Sequence, residues 1–201
     1  MNRIDTIVFD LGNVILPFDP LKPCATLGEM IGKSAEEVAH LIYDSNLERR
    51  FEQGRIDGAA FTRGVSEALD LNLAESEFRE LWADMFTENQ EVSDIVRELK
   101  PYHRLMLMSN TNHWHWRHAF LHFPIVSEFE SYVLSFEVGE LKPHPAIYRA
   151  ALAKAGADRS VLFIDDIEVN VNAARIMGIA GIHFCSAKQL RRELIALGCK
   201  L

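Results

Sequence analysis

Ile4, Ile7, Val8 and Phe9 form an apolar run as long as a strand buried on both faces, and it stops at one carboxylate, Asp10. Gly12 and Asn13 follow, where a chain can turn sharply. A carboxylate at the C-terminal tip of a buried parallel strand stands where open α/β sheets bind ligands. An Asp ending a strand is more often a turn or cap residue, so Asp10 gains meaning only from what recurs further along.

Similar short runs do recur. Residues 105–108, 132–134, 161–164 and 179–184 read as four more strands. Helical patterns over 113–122, 145–155 and 168–177 lie between them, with Gly156 and Gly178 where helix C-caps belong. Another helix carries Ile95, Val96 and Leu99 and ends before Pro101. Strands alternating with helices imply a parallel sheet with right-handed crossovers. The first strand and the second are too far apart for this scheme alone. Asp10 and Ser109 are separated by about a hundred residues, where a simple crossover unit needs about thirty.

The surplus is helical in pattern. Ser34 and Glu37 form a capping box ahead of Val38, Leu41 and Ile42. Asp57 is placed to cap a helix bearing Phe61, Val65 and Leu69, and Phe78, Leu81, Trp82 and Met85 make a further stripe. The expected fold is α/β: a doubly wound parallel sheet from residues 1–16 and 88–201, with an inserted cap of about four short helices from 17–87.

The strand tips carry the chemistry. The first ends in Asp10, the second in Ser109 and the fourth in Asp165 and Asp166, while Lys142 lies on the loop after the third. In a doubly wound sheet these tips converge on one crevice. Three carboxylates brought that close need neutralising, and Mg²⁺, a hard cation with oxygen ligands, suits them better than zinc. A lysine, a hydroxyl and loop amides beside such an ion suit a phosphoryl group. Asp10, with a strand rigidly behind it, is the best-placed nucleophile for an aspartyl-phosphate intermediate.

The motifs resemble those of the haloacid dehalogenase (HAD) superfamily of hydrolases. Phe9-Asp10-Leu11-Gly12-Asn13-Val14 is similar to its first motif, Ser109-Asn110-Thr111 to the second, Lys142-Pro143 to the third, and Asp165-Asp166 with Asn170 to the fourth. Phe51-Glu52-Gln53-Gly54-Arg55-Ile56, followed by Phe61, is similar to a turn in the superfamily's helical caps. The resemblance implies that Asp10 is nucleophile and metal ligand, that the Gly12 carbonyl is a further ligand, and that Asp166 binds Mg²⁺ with Asp165 beside it as a ligand or a supporting group. It implies that Ser109 and Asn110 bind phosphoryl oxygens, and that Lys142 pairs with them and with Asp10. Most phosphatases of the superfamily carry a second Asp two residues after the nucleophile, as general acid and base; here Gly12 stands there. The Asp-Leu-Gly-Asn-Val form resembles a branch that includes glucose-1-phosphate phosphatase-like enzymes.

The leading expectation is therefore a Mg²⁺-dependent phosphatase of a small phosphorylated metabolite, such as a sugar phosphate. The alternative is a family member that binds phosphate and metal with little or no turnover, because of Gly12. A 2-haloacid dehalogenase, whose reaction needs no Mg²⁺, is the third reading. A net charge of −8 argues against nucleic acid or an anionic membrane as partner. Cys24, Cys185 and Cys199 are too scattered for a disulfide framework or metal site, and with no signal-peptide pattern or membrane span the expected location is cytoplasmic. His113, His115, His118 and His122, with Trp114 and Trp116 among them, read as an ordinary helix rather than a zinc site, and the tryptophans as packing. Arg49, Arg50 and Arg55 read as an exposed charged helix paired with Glu48 and Glu52.

Overall fold

The computed structural model describes residues 4–156 and 160–201. Its centre is a five-stranded, wholly parallel sheet in the order β3-β2-β1-β4-β5. The strands are β1 (Thr6–Phe9), β2 (Arg104–Ser109), β3 (Ser131–Leu134), β4 (Val161–Asp165) and β5 (Ala180–His183). Each falls on an apolar run anticipated from sequence. In the central strands β1, β2 and β4 successive side chains go to opposite faces, as the two-residue period of a strand requires. Ile7, Phe9, Leu105, Leu107, Leu162 and Ile164 enter one apolar cluster; Val8, Met106, Met108 and Phe163 enter another. Both faces are covered, which is why these strands lack the polar alternation of a half-exposed sheet.

The first cluster is closed by α6 (Gln90–Leu99), α7 (His113–His122) and α11 (Ala187–Ala196), the second by α9 (Pro145–Ala155) and α10 (Glu168–Ile176). Helix α11 was not anticipated. Its signal is a capping box, with the Ser186 side chain accepting from the Gln189 N–H and the Gln189 side chain accepting back from the Ser186 N–H. A single-turn helix, α8 (Ser135–Val138), follows β3.

Between β1 and α6 stand five helices rather than about four: α1 (Leu21–Ile31), α2 (Ala35–Tyr43), α3 (Leu47–Glu52), α4 (Gly58–Leu69) and α5 (Glu75–Ala83). The predicted caps at Ser34 and Asp57 are present. These helices bury their own cluster, centred on Phe51, Phe61, Phe78 and Trp82, and Trp114 of α7 reaches in to complete it. Phe51 stacks on Phe61 at 4.7 Å and meets Trp114 edge-on at 4.9 Å. The two connections to this helical cap run side by side: Asp19 donates to the Met85 carbonyl at 3.1 Å and Thr87 to that of Pro17 at 2.8 Å.

Sheet order sets the position of the site. The chain builds outward from β1 through β2 to β3, then returns to place β4 on the other side of β1. The switch lies between the ends of β1 and β4, where the neighbouring connections leave in opposite directions and open a crevice. No helix among the described residues is long and apolar enough to cross a membrane.

Candidate active site

Asp10 follows directly from β1, and its N–H donates to the Ile164 carbonyl at 2.8 Å, so β4 fixes its backbone. Its Oδ1 accepts from the Leu11 N–H at 2.7 Å and lies 2.7 Å from Lys142 Nζ. Lys142 also donates to Asp165 Oδ2 at 2.7 Å and to the Met108 carbonyl at 3.2 Å. All three ammonium protons are therefore engaged. Lys142 is 5% exposed and Asp165 fully buried, so the ammonium sits under the site as a fixed counter-charge.

Asp165 is saturated. Besides Lys142 it accepts from the Ile167 N–H at 2.8 Å and from Asn170 Nδ2 at 3.1 Å on each oxygen. Asp166 is half-buried, and its Oδ2 accepts a 3.3 Å hydrogen bond from Asn13. Asn13 has a left-handed backbone, φ 54°, which turns the chain back over the site. Among the described residues Asp10 Oδ2 and Asp166 Oδ1 have no partner.

Asp10, Asp165 and Asp166 can bring one oxygen each within 4.8 Å of one another. No other group of three or more acidic, histidine or cysteine residues among the described residues could hold a metal in this way. Three carboxylates facing one ammonium leave an excess of negative charge. Burial pushes the Asp10 carboxyl up to about 7; Lys142 opposes this and Asp165 adds to it. Asp166 is raised for the same reasons, burial first and Asp165 second. For Lys142 burial works against the charge, but Asp10 and Asp165 outweigh it and hold the pKa above the ordinary lysine value. A hard divalent cation has the charge and the oxygen preference this cluster lacks.

Ser109 is buried at the tip of β2, with only a long 3.4 Å contact to its neighbour's carbonyl, so its hydroxyl is uncommitted. Asn110 is committed. Its Oδ1 accepts from the Lys142 N–H at 2.7 Å and its Nδ2 donates to the Lys142 carbonyl at 3.0 Å. The Asn110 side chain thus clamps the lysine loop, which leaves its backbone N–H as the group it can offer an anion. The Gly12 carbonyl accepts from the Val14 N–H at 2.7 Å, with its second lone pair remaining.

Above these groups lies a cavity of about 290 Å³ between sheet and helical cap. Gly12, Ser109 and Asn110 form its floor, Phe18 and Phe86 line it, and Glu48 and Glu52 of α3 complete it. This corrects the reading of α3 as a self-paired charged helix. Arg55 pairs with Glu140 at 3.2 Å across to the core, while neither glutamate carboxylate has a hydrogen-bond or ion-pair partner among the described residues. Sequence reasoning missed both; a glutamate pair four apart on a helix shows a shared face but not what that face meets.

On α7 the His118 and His122 rings lie side by side, their centres 4.4 Å apart. His115 is buried, its Nδ1 accepting from Asn112 at 3.1 Å and its Nε2 facing the Trp82 carbonyl at 3.1 Å. Trp114 packs under the cap and Trp116 against the sheet cluster and Tyr132.

A doubly wound parallel sheet with an inserted helical cap, carrying an acidic cluster and a buried lysine at its switch point, defines a class of hydrolase. The family model of the haloacid dehalogenase-like hydrolases matches residues 4–178, and the chain belongs to that family. A HAD family enzyme of Bacteroides thetaiotaomicron superposes with a TM-score of 0.80 at 26% identity, over 90% of this chain and 93% of that one. The same enzyme in complex with magnesium and inorganic phosphate gives 0.77 at 26% identity, over 90% and 93%. A predicted HAD-like hydrolase of Porphyromonas gingivalis gives 0.79 at 24%, over 96% and 98%. L-2-haloacid dehalogenase of Xanthobacter autotrophicus gives 0.65 at 17%, over 99% and 85%, and shows the fold alone. A search of curated proteins returned no match.

Proposed function

We propose that this hydrolase is a Mg²⁺-dependent phosphatase of small phosphomonoesters, working through a phosphorylated Asp10. The observation that carries the reading is the division of labour among the acidic residues. Asp165 is saturated by four hydrogen bonds and serves to position Lys142, while Asp10 and Asp166 each keep a free oxygen. Asp10, Asp166 and the Gly12 carbonyl would hold Mg²⁺. The ion would neutralise the cluster and polarise the phosphoryl group. The magnesium and phosphate complex of the Bacteroides relative supports this class of ligand.

The protein's own groups account for the remaining steps. Lys142 and the Leu11 N–H hold Asp10 Oδ1, which fixes the carboxylate and aims the other oxygen. That oxygen attacks phosphorus, the bond to the leaving oxygen breaks, and the phosphoryl group passes to Asp10. Ser109 and the Asn110 N–H take the phosphoryl oxygens. Water then attacks phosphorus, releasing phosphate and regenerating the carboxylate. The cap closes the cavity and limits competing solvent. The 290 Å³ volume and its mixed walls suit a leaving group of sugar size.

Gly12 favours a second reading, binding without turnover, because a glycine can neither protonate a leaving oxygen nor activate water. Phosphate release from a panel of aryl and sugar phosphates, with Mg²⁺ or chelator, separates the two. The proposal requires multiple turnovers that need Mg²⁺ and vanish in Asp10→Asn. A panel without multiple turnover would leave the binding reading in place.

A further inference from the structure

We infer that Glu52, delivered from the cap, is the general acid and base that Gly12 cannot be. The inference rests on the phosphatase reading and identifies how that reaction handles its protons.

Geometry carries it. Glu52 lines the same cavity as Gly12 and Ser109. It ends α3, and the turn after it is held against the core at several residues. The Ser135 hydroxyl lies 2.7 Å from the Glu52 carbonyl and 2.8 Å from that of Thr111, sharing its one proton between them, and accepts from the Thr111 N–H at 2.8 Å, one residue from the floor of the cavity. Gln53 donates to Glu140 at 3.2 Å, and Arg55 pairs with the same carboxylate. Gly54, at φ 64°, lies so close to Phe136 that a Cβ there would strike its carbonyl oxygen. A cap needing only to cover the site has no use for three polar anchors and a close backbone approach on one turn. Their effect is to hold the backbone of Glu52 against the core, with its side chain in the wall of the cavity floored by Gly12 and Ser109.

The surroundings give that carboxyl a usable proton. Burial pushes it up to about 7, against the pull of Lys142 from the core and of Arg49 on its own helix. Glu48, one turn back, is raised well above the ordinary carboxylate value by burial and then by Glu52. Tyr43 of α2 faces the pair and stays neutral, its hydroxyl pushed up by burial and then by Glu48. Glu140 is occupied by Gln53 and Arg55. His115, which also lines the cavity, is bonded away to Asn112 and Trp82.

In the first step protonated Glu52 gives its proton to the leaving oxygen as the bond from phosphorus to that oxygen breaks. In the second the Glu52 carboxylate takes a proton from the water that attacks phosphorus, as the bond to Asp10 breaks. Glu52 ends protonated, and the cycle closes on one alcohol and one phosphate.

The test uses the full chain with Mg²⁺, comparing Glu52→Gln with wild type on p-nitrophenyl phosphate and on glycerol phosphate. A nitrophenolate leaves unprotonated, so the variant should keep a burst of about one nitrophenolate per enzyme and then turn over roughly 10²–10⁴-fold more slowly. On glycerol phosphate both steps should fail. Inhibition by inorganic phosphate should be unchanged, which a merely structural loss would not allow. The alkaline limb of kcat/KM on glycerol phosphate, where the acid loses its proton, should be present near pH 7 in wild type and absent in the variant. Gly12→Asp added to Glu52→Gln should restore turnover at least tenfold. A Cβ at Gly12 would lie 3.0 Å from the edge of Phe18, which is exposed and can swing aside. Wild type turning over while Glu52→Gln stays within threefold of it on glycerol phosphate overturns this inference alone. A wild type without multiple turnover removes the phosphatase reading and this inference with it.

Discussion

Replacing Lys142 by Met removes a charge and leaves the packing. The methionine is about as long as the lysine stem and keeps the contact with Phe163, whose ring centre lies 5.5 Å from Nζ. What goes is a buried ammonium with two carboxylates at 2.7 Å and a carbonyl at 3.2 Å. Breaking a buried ion pair by removing one partner costs about 3–5 kcal/mol, because the other charge stays buried and uncompensated. With a urea m-value of about 2 kcal/mol/M, the midpoint should fall by about 2 M at pH 7. The deficit should shrink on acidification. The folded-state pKa of Asp10 lies above its unfolded value, so this group favours the folded state below the unfolded value and ceases to do so as pH rises through about 7. At pH 5 Asp10 is already protonated in the folded protein and no longer needs the lysine; only the Asp165 half of the loss remains. Urea unfolding at pH 7 and pH 5 without Mg²⁺ measures both effects. A loss below 1 kcal/mol at pH 7, or an equal loss at both pH values, would refute the view of Lys142 as the counter-charge of a desolvated pair.

Other predictions concern groups around the site. His115 is held neutral, its pKa pulled down to about 4 mainly by burial. The unfolded chain takes up a proton near pH 6.5 that the fold refuses, so stability falls by about 3 kcal/mol from pH 6.5 to pH 4, and His115→Gln should flatten that slope in urea midpoints; parallel slopes would count against it. Asn170→Ala strips a donor from both oxygens of buried Asp165 and should cost about 1.5–3 kcal/mol in urea unfolding; a loss under 0.5 kcal/mol would show that the bonds to Asp165 are dispensable. Gly58→Ala places a methyl against the Trp114 ring at the join of cap and core, and should lower stability by about 1–3 kcal/mol with a change in tryptophan fluorescence; unchanged stability and emission would contradict the close approach.

The path from sequence to structure was open where local pattern and long-range placement agree. Each strand is a short apolar run, and Ser34 and Asp57 announce their helices because a cap is a contact within four residues. Asp10, Ser109, Asp165 and Asp166 could be brought together from the strand tips, since parallel strands share one C-terminal edge, and Lys142 from the loop that follows the third strand. What could not be read was which neighbour each polar group chooses. Asn110 offers an amide that suits a phosphoryl oxygen, and only the approach of the Lys142 backbone shows that it is taken. Glu48 and Glu52 suit salt bridges with nearby arginines equally well on a helical wheel. They face the cavity because Ser135, Phe136 and Glu140, far off in sequence, pin the turn after α3.

The account stands on Asp10 becoming phosphorylated, and that can be observed. Enzyme turning over a ³²P-labelled phosphomonoester with Mg²⁺ would be quenched in acid, digested and mapped by mass spectrometry. The account predicts label on the peptide containing Asp10, released by hydroxylamine as an acyl phosphate must be, and none in Asp10→Asn. Sustained phosphate release with no label at Asp10, or undiminished in Asp10→Asn, would contradict it.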